Sequence, residues 1–304
     1  MSVIPDGWVD IQVNGFMGVD FSRPGLTVAD VRRVTQELVR CCTAVYCPTI
    51  ITSQLSVYEA NLPVLAAAMD EPDLRPHLPG IHLEGPFLAV EARGAHRLDL
   101  LRRPDTALLD RWLELARGQV RMLTLAPELD GAEAVIRRAV SRGVVVSLGH
   151  HVGDHQAIAR AAEAGATSCT HLGNGIPNML PRHPNPIWTQ LAEDRLCAML
   201  ITDGHHLPAE FVRVALRAKG LNRIVVTSDM VALAGLPPGD YEWEGTAVVK
   251  EPSGRIVLKN SFSLAGSSAT MAECMDWLRN TAGLTETECR QVGRTNPLRL
   301  LGKA

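Results

Sequence analysis

Residues 144–171 read VVVSLGHHVGDHQAIARAAEAGATSCTH. An apolar, β-branched run (Val144 to Leu148) is followed by an amphipathic stretch at helical spacing (His155 to Ala164), then by a second short run (Thr167 to Thr170). Strand, helix, strand in that order implies parallel strands. Each run closes on a histidine, His150 and His171.

The same unit repeats in both directions. Further strand-like runs are Trp8 to Val13, Ala44 to Ile50, Gly80 to Leu83, Val120 to Leu125, Leu196 to Ile201 and Arg223 to Thr227, giving eight in all. Helical stretches alternate with them: Val28 to Arg40, Val57 to Met69, Asp105 to Arg117, Ala132 to Arg142, Pro208 to Lys219 and Ala269 to Thr281. Eight β/α repeats in 304 residues favour an α/β fold of one closed (β/α)8 TIM-like barrel, residues 1–304, over an open doubly wound sheet or two small domains. No Gly-x-Gly-x-x-Gly follows the first strand, which removes the dinucleotide-binding reading. One excursion breaks the alternation after strand eight. Tyr241 to Leu258 reads as a β-hairpin, with Ala247 to Lys250 and Arg255 to Leu258 flanking a Pro252-Ser253-Gly254 turn. Gly266-Ser267-Ser268 then precedes the last helix, with serine as its expected cap.

Composition narrows the class. With 46% hydrophobic and 21% charged residues the chain can bury a large core, and a net charge of -3 offers no basic face to nucleic acid or an anionic membrane. Seven cysteines without a Cys-x-x-Cys pair point to reduced thiols and a cytoplasmic location. The N-terminus has no basic-then-apolar signal, and no apolar run is long enough to span a bilayer.

Barrel enzymes carry their chemistry at the C-terminal ends of strands. Here Glu84 closes strand three, His150 strand five, His171 strand six and Asp229 strand eight, and His205-His206 follows strand seven. All ten histidines lie between His77 and His206, so reactive side chains are concentrated rather than scattered. Glu84, His150 and His171 match a catalytic zinc site in number and type, leaving a position for water. Asp229 is the carboxylate that can take the proton of that water. The metal is expected to be a divalent ion, zinc first, with iron, manganese or cobalt accepted by the same donors. His151 and His205 are left between lining the pocket and supporting it.

His82-Leu83-Glu84-Gly85-Pro86, Gly94-Ala95-His96, Leu125-Ala126-Pro127-Glu128, Ser147-Leu148-Gly149-His150, Thr170-His171-Leu172-Gly173-Asn174, Asp203-Gly204-His205-His206, Ser228-Asp229 and Leu264-Ala265-Gly266-Ser267-Ser268 occur in that order. In this the chain resembles the N-acetylglucosamine-6-phosphate deacetylases of the amidohydrolase superfamily, from about Pro5 to Leu301. The resemblance implies hydrolysis of the acetamide of an N-acetyl amino sugar, most readily the 6-phosphate of N-acetylglucosamine, to acetate and the free amine. It implies metal ligation by Glu84, His150 and His171, and proton shuttling by Asp229. It gives His96 the acetyl oxygen, His206 a contact with the substrate, Asn174 and Gly175 donors near the sugar phosphate, and Arg182 the phosphate in a neighbouring subunit's site, hence a homodimer. Gln12-Val13-Asn14 stands where many relatives carry His-x-His, which implies one metal and not two.

Departures from the family bear on the substrate. Strand one begins by Trp8 and the sequence stops at Ala304, so the small β-sandwich of the family is expected to be missing. Gly173 replaces an aromatic residue, and Asn178-Met179-Leu180-Pro181 departs from the usual continuation. Hydrolysis of a different N-acylated substrate, and a barrel that binds metal or sugar without turnover, are the alternatives.

Overall fold

The structure is a computed structural model and describes residues 4–243, 245–259 and 263–303. Eight parallel strands form the central sheet: β1 (Trp8–Val13), β2 (Thr43–Ile51), β3 (Ile81–Glu84), β4 (Val120–Leu125), β5 (Val145–Leu148), β6 (Ser168–Cys169), β7 (Cys197–Leu200) and β8 (Ile224–Val226). Each is hydrogen-bonded to the next in sequence order, which is the topology of a (β/α)8 barrel. The seam between β8 and β1 carries one isolated parallel bridge, Val13 with Met230, instead of a ladder. Against the expected limits, β2 is longer by one residue at each end, and β6, β7 and β8 are each shorter by one residue at each end, which leaves β6 with two residues.

Helices α1 (Val28–Arg40), α2 (Leu55–Asp70), α3 (Thr106–Leu115), α4 (Ala132–Ser141), α5 (His155–Ala164), α6 (Pro186–Ala192), α7 (Ala209–Lys219) and α8 (Met271–Ala282) cover the sheet. Their ends follow from local chemistry. Asp154 accepts the Ala157 N–H to start α5, and Gly165, at φ 111°, ends it where a side chain would be strained. Helix α6 was not foreseen in the sequence, because seven residues show too little periodicity; Asn185 caps it and Pro186 opens it. The cap of α8 is Thr270, in a reciprocal box with Glu273, and not the serine pair. Ser267 instead accepts the Ala269 N–H, and the Ser268 hydroxyl donates to the Gly254 carbonyl.

Apolar residues of helices and outer strand faces make one large core, while Val9, Ile11, Val45, Cys47, Met122, Met199 and Val225 meet inside the barrel, sealed by Leu298 and Leu301. Toward the opposite end the interior turns polar: His82, Thr124, Thr170 and Ser147 are linked by contacts of 2.6–2.8 Å. The excursion after β8 is a three-stranded antiparallel meander, β9 (Gly239–Trp243), β10 (Thr246–Lys250) and β11 (Ile256–Leu258), one strand more than the sequence suggested. Residue 244 lies outside the described residues. Trp243, Val248 and Ile256 pack on Ile51, Val231, Leu233 and Ala265, which fixes the meander over the mouth of the barrel.

Candidate metal centre and cavity

Glu84 ends β3, and His150, His171 and Asp229 follow β5, β6 and β8 by two, two and three residues. The last three share a backbone anomaly. Their φ angles are 51°, 31° and 53°, a left-handed region that costs a non-glycine residue roughly 1–3 kcal/mol. The turn folds each side chain back over the barrel axis, where all three are buried with Glu84.

Glu84 Oε1 lies 2.9 Å from His171 Nε2 and 3.3 Å from His150 Nε2, and the two Nε2 atoms are 3.1 Å apart. Donors in tetrahedral array at zinc-ligand distances of about 2.0–2.2 Å stand roughly 3.3 Å from one another, so this triangle has the size of a metal site. The His150 Nδ1–H donates to the Ala92 carbonyl at 2.9 Å, which leaves Nε2 with its lone pair toward the other two donors. Two imidazole nitrogens and a carboxylate oxygen converging in a buried pocket fit a divalent cation better than they fit one another. Glu84, His150 and His171 could therefore hold the ion.

Electrostatics follow from burial and from these contacts. Burial pushes the Glu84 carboxyl up, but the His150 and His171 rings against it hold it well below the ordinary carboxylate range. His171 is the complement: burial lowers it, the Glu84 bond outweighs that, and its pKa rises. Asp229 is pushed up to about 7, by burial first and then by the Glu84 charge.

The first strand supplies the remaining polar contacts. Gln12 Nε2 donates to Glu84 Oε1 and to Asp229 Oδ1, both at 2.9 Å, and Asn14 Nδ2 donates to Asp229 Oδ1 at 2.8 Å. A bulge makes this possible. Asp10 pairs with Tyr46 and Val13 with Pro48, so three steps on β1 match two on β2, re-aiming Gln12 at the carboxylates. Both amides thus serve as donors to carboxylates.

A cavity of about 480 Å³ opens above the cluster, lined by Glu84, His96, His150, His171, Asn174, Gly175, His206 and Asp229 among others. His96 is buried with Nε2 3.2 Å from His150 Nε2, and burial, then the neighbouring His150, lowers its pKa to about 3. It is a neutral imidazole at the cavity wall. The His206 Nδ1–H donates to Asp203 Oδ2 at 2.7 Å. Asp203 also accepts the backbone N–H groups of His205 and His206, and despite burial the His206 bond keeps its pKa down to about 2. The role of Asp203 went unread in the sequence, although Asp-x-x-His after a strand was its signal. Gly175, at φ 59°, lies so close that a Cβ would stand 2.9 Å from His150 Nδ1 and from His171 Cε1. Asn174 Nδ2 is buried without a hydrogen-bond partner.

Other expected residues fall elsewhere. Arg182 is exposed on the loop after β6 and does not line the cavity of its own chain. His151 is buried away from the cavity, accepting the Gly153 N–H and meeting Gln190 at 2.6 Å, whereas His205 reaches the Ser253 carbonyl of the meander. Ile51, Trp243 and Leu264 also line the cavity, and long-range packing of the meander, invisible to local pattern, puts Trp243 there. Among the described residues, no lysine or arginine lines this wall.

Fold and site together define an amidohydrolase-type barrel, a hydrolase architecture with a carboxylate–histidine metal cluster at the strand ends. No protein-family model matches the chain. Whole-chain comparison is decisive: the chain belongs to the N-acetylglucosamine-6-phosphate deacetylase family. It is 34% identical over 313 residues to the N-acetylglucosamine-6-phosphate deacetylase of Danio rerio, a match covering 99% of this chain and 76% of the relative. An N-acetylgalactosamine-6-phosphate deacetylase of Escherichia coli O157:H7 is 31% identical over 296 residues, covering 97% and 77%. The crystal structure of N-acetyl-D-glucosamine-6-phosphate deacetylase from Mycobacterium smegmatis superposes with a TM-score of 0.90 at 29% identity, covering 98% of this chain and 78% of the other.

Proposed function

We propose that this protein hydrolyses the acetamide of an N-acetyl amino sugar 6-phosphate, N-acetylglucosamine 6-phosphate first, to acetate and the amino sugar phosphate. The observation that carries the reading is the buried Glu84, His150 and His171 triangle with Asp229 beside it on the Gln12 and Asn14 amides. Family membership and the named activities of the relatives support the same substrate class.

Glu84, His150 and His171 would hold one divalent ion, zinc first. When bound, that ion supplies Lewis acidity and lowers the pKa of water. Asp229 takes the proton of the attacking water and delivers it to the departing nitrogen, so that the carbonyl gains a C–O bond, the C–N bond breaks, and the products are acetate and amine. Neutral His96 donates from Nε2 to the acetyl oxygen as charge builds there. His206, oriented by Asp203, holds the sugar with the free Asn174 amide and the Gly175 backbone. No cation lines the wall among the described residues, so the phosphate calls for one from outside. Arg182 of a second copy fits that need: its loop and the adjoining α6 also expose Met179 (88%) and Trp188 (51%), apolar groups suited to a homodimer interface. The barrel is read as one functional unit over 1–304. Seven free cysteines favour a reducing, cytoplasmic setting.

Acetate release by metal-loaded protein from N-acetylglucosamine, N-acetylgalactosamine and N-acetylmannosamine, with and without the 6-phosphate, tests the proposal. Release from a 6-phosphate is expected, and silence across the panel would overturn it. The galactosamine epimer is a second reading, favoured by the Escherichia coli relative.

A further inference from the structure

Asp10 is a fully buried carboxylate on β1 with no part in the chemistry above. Its Oδ1 accepts from Thr227 Oγ1 at 2.7 Å, from the Ser228 N–H at 3.2 Å and from the Gln12 N–H at 3.2 Å. Its Oδ2 accepts from the Ser228 hydroxyl. A carboxylate withdrawn from water and given no cation survives only through such donors. Three of the four belong to the two residues that immediately precede Asp229. Ser228 Oγ in turn accepts the Met230 N–H at 3.1 Å, so Asp229 is held on both sides through one hydroxyl. The fourth donor, Gln12, is the residue whose side chain meets Asp229.

The location gives these bonds their weight. Elsewhere adjacent barrel strands are joined by backbone ladders, but β1 and β8 share a single bridge. Side chains of β1 do the joining there. We propose that Asp10 is a positioning residue for the reaction: by gripping Thr227 and Ser228 across the open seam, and Gln12 within the bulge, it fixes the left-handed backbone of Asp229 and lays its Oδ1 on Gln12 and Asn14. The inference rests on Asp229 being the base of the proposed deacetylase.

Asp10→Asn keeps the shape and removes the charge that gathers the donors. In the metal-loaded variant kcat should fall about 10–100-fold with KM and metal content unchanged, the range typical of outer-sphere partners of a metal site. Thr227→Ser, which retains the hydroxyl, should stay close to wild type, and Thr227→Val should not. A crystal structure of Asp10→Asn should show the Asp229 carboxylate off the Gln12 and Asn14 amides. Asp229 still seated on both amides, or an unchanged kcat, would overturn the proposal. If Asp10→Asn does not fold, Ser228→Ala, lacking one donor, decides by the same two readouts. Should wild-type protein release no acetate, the functional reading fails, and the position of Asp229 in the variant crystal still decides the clamp.

Discussion

The two ends of the cavity are built on different principles. At the metal end, Glu84, His150, His171 and Asp229 sit at or just past strand termini, each no more than 9% exposed, the last three in left-handed backbone. At the other end, the segment from Gly173 to Asn185 is loop, with Asn178, Met179 and Arg182 exposed. Scaffold-borne groups are set to within fractions of an ångström by the core, whereas loop-borne groups can change without disturbing it. On the proposed function, the reaction would thus be written into the barrel and the choice of sugar into the loop.

Breaking the metal end should have the largest effect. Glu84→Ala removes the only anionic donor of the triangle, and the purified variant should lose both its metal and acetate release, checked by metal analysis; retention of a full equivalent of metal would break the comparison. Asp229→Asn should keep the metal and lose about 10²–10⁴-fold in kcat, the span of general acid–base catalysis. Normal turnover would take Asp229 out of the base role.

Weaker perturbations probe the loop end. Gly175→Ala puts a methyl group against both histidine rings at a left-handed position, so it tests the junction of the two ends. Metal affinity and kcat should both drop, by about tenfold each, measured by metal titration and acetate release. Arg182→Ala should raise KM for a 6-phosphate by about tenfold while leaving the unphosphorylated sugar alone, the pattern of a lost charge-assisted contact. Equal effects on both sugars would remove phosphate from its role.

The smallest expected effect is on stability. His82 lies under the metal end, its Nδ1–H donating to the Ile11 carbonyl and its Nε2 accepting from Thr124, and burial lowers its pKa to about 4. An unfolded histidine binds its proton near pH 6.5, so as pH falls below that value the unfolded state gains a proton that the folded state refuses until about pH 4. Stability of metal-free protein should therefore drop by about 1 kcal/mol between pH 6.5 and 5.5 on this account and level off below pH 4. Urea titrations of wild type and His82→Gln would show it as a slope present in the first and reduced in the second.

Most of the barrel was legible because a parallel strand between helices carries a dense apolar run: Trp8–Val13, Val120–Leu125, Val28–Arg40 and His155–Ala164 were read with their observed limits. The convergence of Glu84, His150 and His171 was legible for a related reason, since barrel topology ties position after a strand to position in space. What escaped were features decided by contacts far apart in sequence. Trp243 reaches the cavity only because the meander folds over the mouth, and α6 is too short to announce itself. Gln12 and Asn14 were read only as standing in place of a second metal's histidines. Their service to Glu84 and Asp229 depends on a bulge and on a seam partner 215–217 residues away.

That seam carries a consequence for the order of assembly. The Asp10 to Ser228 bonds span 218 residues, joining the first strand of the barrel to the last. Synthesis runs from the N-terminus, so all three proposed ligands emerge before the proposed base: His171, the last of them, precedes Asp229 by 58 residues (229 minus 171). A growing chain would thus contain the three residues of the triangle before the proposed proton acceptor, and the acceptor takes its seat only when β8 reaches β1. Hydrolysis would then begin with barrel closure, making the onset of activity a timer for the final step of folding.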